Sequence, residues 1–137
     1  MGAYLGIDLG SKRVGVAVCE EGVSIAMGLT TLEFKSRQHL LTEISKLVKE
    51  YAVKEIVVGL PKTMAGEMGP AAKKVQEQIE WFQSQIPVSW VFWDERLSSK
   101  EAERILLEAD VNRARRKEVI DQMAAQRILQ TYLDSKR

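Results

Sequence analysis

Along the first third of the chain, apolar residues come in short blocks separated by small polar clusters, and each block has the length of a strand. Residues 3–9 and 14–19 are two β-like runs on either side of "GSKR", the pattern of a hairpin. "EEG" at 20–22 marks a second turn, and "VSIAMGLTTLEF" (23–34) predicts a third strand. After Ser36, a residue type suited to an N-cap, the period lengthens. Leu40, Leu41, Ile44, Leu47, Val48 and Tyr51 form the stripe of an amphipathic helix. "EIVVG" (55–59) is β-branched and lacks alternation, as in a strand covered on both faces. A loop, "LPKTMAGEMGP", leads into a helix with Val75, Ile79, Phe82 and Ile86 on one side. "VSWVFW" (88–93) is another apolar strand and runs into "DER" at 94–96. Ser98 and Glu101 read as a capping box for a helix carrying Ala102, Ile105, Leu106 and Ala109. A final helix spans about 117–133.

This order, β-β-β-α-β-α-β-α-α, predicts the α/β class: a mixed sheet in which an antiparallel meander joins parallel strands linked by right-handed helical crossovers. At 137 residues the chain suits a single domain, 1–137. Hydrophobic residues at 45% and charged residues at 28% fit a folded globular protein rather than a disordered one. A net charge of +1 creates no whole-molecule field, so a nucleic-acid surface has to be local. One candidate is the stretch from 96 to 137, where ten Lys or Arg face seven Asp or Glu and "RARRK" (113–117) holds four of the ten. Cys19, the single cysteine, excludes an internal disulfide and reads as a small buried thiol. No apolar run approaches the ~20 residues that span a bilayer, and the expected location is cytoplasmic.

Three carboxylates stand out against this pattern. Asp8 closes an apolar strand and shares a face with Tyr4 and Gly6, so the missing side chain at Gly6 leaves room beside the acid for a substrate backbone or a metal. Its competing role is to cap the "DLGSKR" turn. Asp94 and Glu95 follow the last strand and point to opposite faces, so at most one of them joins Asp8. Asp121 lies within roughly 60° of Ala124, Ala125, Ile128 and Tyr132 at 100° per residue, inside the apolar stripe of its helix. A lone carboxylate there requires a partner. Lys117, one turn earlier, is the simplest one, and a divalent ion shared with the other acids is the alternative. Magnesium takes oxygen ligands, and two ions about 4 Å apart serve phosphodiester cleavage.

The segments "GIDLGSKRVGVAV", "VVGLPKTMAGEMGP", "WDERLSS" and "RKEVIDQMAAQRILQTYL" together resemble the YqgF/RuvX family, Holliday-junction-resolvase-like proteins also described as pre-16S ribosomal RNA nucleases. The resemblance covers essentially the whole chain. It implies a ribonuclease H-like mixed five-stranded sheet in the order 3-2-1-4-5, strand 2 antiparallel, flanked by helices. It also implies an acidic site of Asp8, Glu95 and Asp121 that holds one or two Mg²⁺ or Mn²⁺ ions. Here the fourth strand ends in "GLP" (59–61), without the carboxylate that resolvases carry there, and Glu95 serves from the neighbouring strand instead.

The same resemblance assigns Lys12 and Arg13 to a phosphate near the metal, and Arg96 either to orienting Glu95 or to the scissile phosphate. Lys62, Arg113, Arg115, Arg116 and Lys117 become sequence-independent contacts to a nucleic-acid backbone. The alternative for "RARRK" is a solvated turn between helices. Trp90 and Trp93 read as core, and His39 takes no catalytic role. The expected activity is metal-dependent cleavage of ribosomal RNA precursors, with structured RNA or precursor particles as partner and the chain acting as monomer or homodimer. A DNA-junction nuclease is the near variant, and a non-catalytic RNA-binding module is the alternative of another class. "GIDLGSKRVG" also resembles the phosphate hairpin of actin-like ATPases, which hold ATP between two domains where this chain has length for one.

Overall fold

The computed structural model describes residues 2–63, 65–94 and 113–136, with 113–118 described by backbone alone. Five strands and three helices occupy this range: β1 (Ala3–Leu9), β2 (Arg13–Cys19), β3 (Met27–Glu33), α1 (Arg37–Tyr51), β4 (Val53–Leu60), α2 (Pro70–Gln85), β5 (Ser89–Asp94) and α3 (Arg113–Ser135). The strands form one sheet in the order β3-β2-β1-β4-β5, as expected. β2 is antiparallel to β1 and β3, while β1, β4 and β5 are mutually parallel.

Each face of the sheet has its own core. Leu5, Ile7, Val16, Ile56 and Val58 pack with Leu40 and Ile44 of α1 and with Ile79 and Phe82 of α2. On the other face, Ala17, Cys19 and Val57 pack with Ala125, Ile128 and Leu129 of α3. The unbroken apolar run of β4 follows from this, because both of its faces are covered. Ser36 caps α1 by accepting from the His39 backbone N–H at 3.1 Å. Gly69 and Pro70 open α2, with proline at the first helical position.

Two expectations change. The third strand starts at Met27 rather than at residue 23, because Ser24 and Ala26 spend their backbone groups on α3. Gln130 Oε1 accepts from the Ala26 N–H at 2.8 Å, and Gln130 Nε2 donates to the Ser24 carbonyl at 3.2 Å. The last helix begins at Arg113 rather than near residue 117, so "RARRK" forms its opening turns and not a link between helices. β5 is the edge strand that the order 3-2-1-4-5 implies and is half-buried, and both tryptophans pack into the protein as expected. Trp90 stacks on Phe82, and Trp93 meets Tyr132 edge-on while donating to Thr131 Oγ1 at 2.9 Å. The helix expected after Ser98 lies outside the described residues.

Candidate active site

Asp8 is the penultimate residue of β1, half-buried, and paired in register with Gly15 of β2. Alternation along the strand puts Tyr4, Gly6 and Asp8 on the face that α3 covers. α3 lies unusually close to this face. A Cβ built on Gly6 would stand 2.8 Å from the Ala125 carbonyl oxygen and 2.7 Å from Leu129 Cβ, and one on Gly15 would collide with the Asp121 carbonyl. The expectation that Gly6 leaves a gap for substrate or metal is therefore overturned. The backbone of α3 fills that space, and the glycines are what let the helix reach the sheet.

This docking brings Asp121 over the Asp8–Gly15 row. Lower down, Tyr132 donates to Glu55 at 2.5 Å, so α3 runs antiparallel to β1. The Asp121 carboxylate is indeed paired: Arg13 Nε donates to Oδ2 at 2.8 Å, while the side chain of Lys117 lies outside what the structure describes. Arg13 opens β2 on the face of Gly15, one alternation beyond the residue opposite Asp8. The side chains are 34% and 18% exposed, so the pair is shielded but not dry. Among the described residues, nothing else hydrogen-bonds this carboxylate.

The register also fixes the face of Asp94, the last residue of β5. Asp94 pairs with Leu60, and Ile7 pairs with Val58, so Asp94 belongs to the face of Ile7 and Leu60, opposite to Asp8. Glu95 and Arg96 lie outside the described residues. No group of three His, Cys, Asp or Glu that would hold a metal exists among the described residues.

The cations gather at the same end. Lys12 is exposed at the tip of the β1–β2 hairpin, and Lys62 is half-buried just past β4. Arg113, Arg115, Arg116 and Lys117 occupy the opening of α3, which extends about 12 Å beyond Asp121 at 1.5 Å per residue. The sequence reading missed Lys35. The Phe34 N–H donates to the Lys12 carbonyl at 2.9 Å, and Lys35 joins Ser11, Lys12 and Arg13 around a groove of about 370 Å³. Its only sequence signal was a place shortly after the third strand.

The family model described as "RuvX: Holliday junction resolvase" matches residues 2–135. A protein of Thermoanaerobacter pseudethanolicus is 45% identical over 134 residues, covering 97% of this chain and 96% of the relative. One of Bacillus cytotoxicus is 46% identical over 134 residues, covering 96% and 98%. Both bear the name "Putative pre-16S rRNA nuclease". Among solved structures, Thermus thermophilus RuvC in complex with Holliday junction substrate aligns with a TM-score of 0.57 at 13% identity, over 99% of this chain and 96% of that one. The fowlpox virus resolvase, solved with Holliday junction DNA, aligns at 0.60 and 9%, over 98% of both chains. At such identities the likeness speaks for the ribonuclease H-like fold alone. The match along nearly the full length, with relatives above 40% identity, places this chain in the RuvX family.

Proposed function

We propose that the chain is a metal-dependent nuclease that hydrolyses phosphodiester bonds in ribosomal RNA precursors, with pre-16S rRNA, which the relatives' names give, as the substrate. The observation that carries this reading is the docking of α3 through Gly6 and Gly15, which sets Asp121 beside the Asp8 row at the cationic end of the sheet. Ligands of α/β sheets bind beyond the carboxyl ends of strands, and this is such an end.

The donor set fits a hard divalent cation. Asp8, Asp121 and Glu95 would hold Mg²⁺ or Mn²⁺ through carboxylate oxygens, and Arg13 occupies only one oxygen of Asp121. A bound ion supplies Lewis-acid stabilisation of the charge that develops on a phosphate under attack. Arg13 keeps the Asp121 carboxylate oriented, and Lys12 and Lys62 draw the nucleic-acid backbone towards the acids. The basic opening of α3 extends this attraction outward without reading sequence.

The family description names a DNA junction as the other candidate substrate. One experiment separates the readings: cleavage of labelled pre-16S RNA fragments, unstructured single-stranded RNA and a four-way DNA junction in Mg²⁺, Mn²⁺ or EDTA, with wild type beside Asp8→Asn. Metal-dependent cutting of the precursor RNA, lost in Asp8→Asn, is the expected result. Preferential cutting of the junction transfers the assignment to DNA. Binding without cutting in any metal makes the chain an RNA-binding module.

A further inference from the structure

The groove around Lys12 and Lys35 does not end at the hairpin. Phe34 lines it and also lines a second depression of about 250 Å³, formed with Arg37 of α1 and with Gln78, Trp81 and Phe82 of α2. The two differ in chemistry. The first is polar and cationic, with Lys12, Arg13 and Lys35 against Glu33, and the Lys35–Glu33 contact at 3.9 Å joins two exposed side chains that water and salt readily part. The second has aromatic walls. The Arg37 guanidinium sits over Trp81, 4.5 Å from the ring centroid, and Trp81 meets Phe82 edge-on. Gln78 and Glu77 supply polar groups at its margin.

A ligand that satisfies both grooves carries an anion beside a flat ring. That is the repeat of a nucleic-acid strand, with phosphate and base one residue apart. We infer that the two grooves form a track for a single-stranded segment of nucleic acid next to the acidic site, with a phosphate between Lys12 and Lys35 and an unpaired base stacked at Arg37 and Trp81. The inference rests on the nuclease reading and narrows its substrate class. Bases are read on aromatic rings and guanidinium planes only when splayed out of a helix, and a depression of this size admits one such ring. A duplex keeps its bases stacked inward and offers the second groove nothing. The substrate therefore presents single-stranded sequence beside the cleaved bond, and the grooves grip it without selecting its bases.

The test is equilibrium binding of fluorescent RNA to the full chain in EDTA, across a salt series. The RNAs are a single-stranded 12-mer, the same strand with abasic positions, and a duplex. Lys35→Ala should lower the salt slope by about 0.7, the release expected for one single-strand phosphate. Arg37→Ala should weaken the intact strand by about five-fold or more and leave the abasic strand unaffected. Arg37→Lys, which keeps the charge and loses the plane, should resemble Arg37→Ala. Trp81→Leu provides a second route to the same loss, and Lys46→Ala, on exposed α1 surface, is the control that should not change binding. Equal binding of intact and abasic strands, equal binding of duplex, or wild-type affinity in both Arg37 variants overturns the track. If the wild-type chain cleaves RNA while these variants bind normally, only the track fails. If wild type binds no RNA in EDTA, the track fails, and the nuclease reading still stands or falls on the cleavage assay with metal.

Discussion

Gly15 and Gly6 lie beneath α3 where a methyl group has no space, and the cost of adding one is readily measured. A Cβ at position 15 collides with the Asp121 carbonyl, and one at position 6 meets Ala125 and Leu129. Gly15→Ala should destabilise the chain by about 1–3 kcal/mol in urea melts, because either the helix or the strand has to move. It should also reduce cleavage at permissive temperature, since the displaced segment carries Asp121. The ion pair between Arg13 and Asp121 invites a double-mutant cycle with Arg13→Ala and Asp121→Asn. Its partial exposure limits the expected coupling to about 0.5–1 kcal/mol. The need for a partner at Asp121 was legible in the sequence, since the acid sits in an apolar stripe. Its identity was not. Arg13 is 108 residues away, and only the passage of α3 over β2 brings the two together.

The ends of α1 and α3 carry further expectations. Ala52 closes α1 in the left-handed region, with φ of 52°, and its side chain is exposed. Ala52→Gly should therefore raise stability by about 0.5–1 kcal/mol, and Ser36→Ala at the other end should lower it by about 1 kcal/mol; thermal melts report both. At the foot of α3, Tyr132 donates to Glu55, and Lys136 lies 3.8 Å from the same carboxylate. Burial, followed by the bond to Glu55, raises the Tyr132 pKa, and the bond with Tyr132 raises that of Lys136. Both groups hold their protons more tightly folded than unfolded. The stability they contribute is present in full below the ordinary tyrosine value near 10 and is lost as pH rises through the folded values. Urea titrations from pH 8 to 11 should show this alkaline decline, and Tyr132→Phe should make it shallower. The helices themselves were legible from period and caps. The docking of α3 at both ends was not, since its partners lie on β1, β2 and β4.

Taken together, the fold is a sheet with a different layer on each face and the proposed site at one end. α1 and α2 pack on one side; α3 packs on the other and carries Asp121 to the proposed site. Metal binding should therefore be felt by the whole fold. Mg²⁺ or Mn²⁺ at one hundred times its dissociation constant should stabilise the wild-type chain by about 2.7 kcal/mol, and neither Asp8→Asn nor Asp121→Asn should show the full shift. Differential scanning calorimetry with and without EDTA checks this. A shift that persists in both variants would place the ion elsewhere.

Hydrophobic period is a local property, so strands, helices, the covered β4 and the inward acid of α3 could be read along the chain. Sheet order came from the family resemblance. What required the tertiary structure was every relation across the chain: the filling of the Gly6 space by helix backbone, the choice of Arg13 as partner, and the placing of Asp94 on the wrong face. Two grooves meeting at Phe34 belong to the same class. Each depends on which distant segment packs against which, and that is set by the docking of α3 and by strand register, neither of which leaves a mark at any single position.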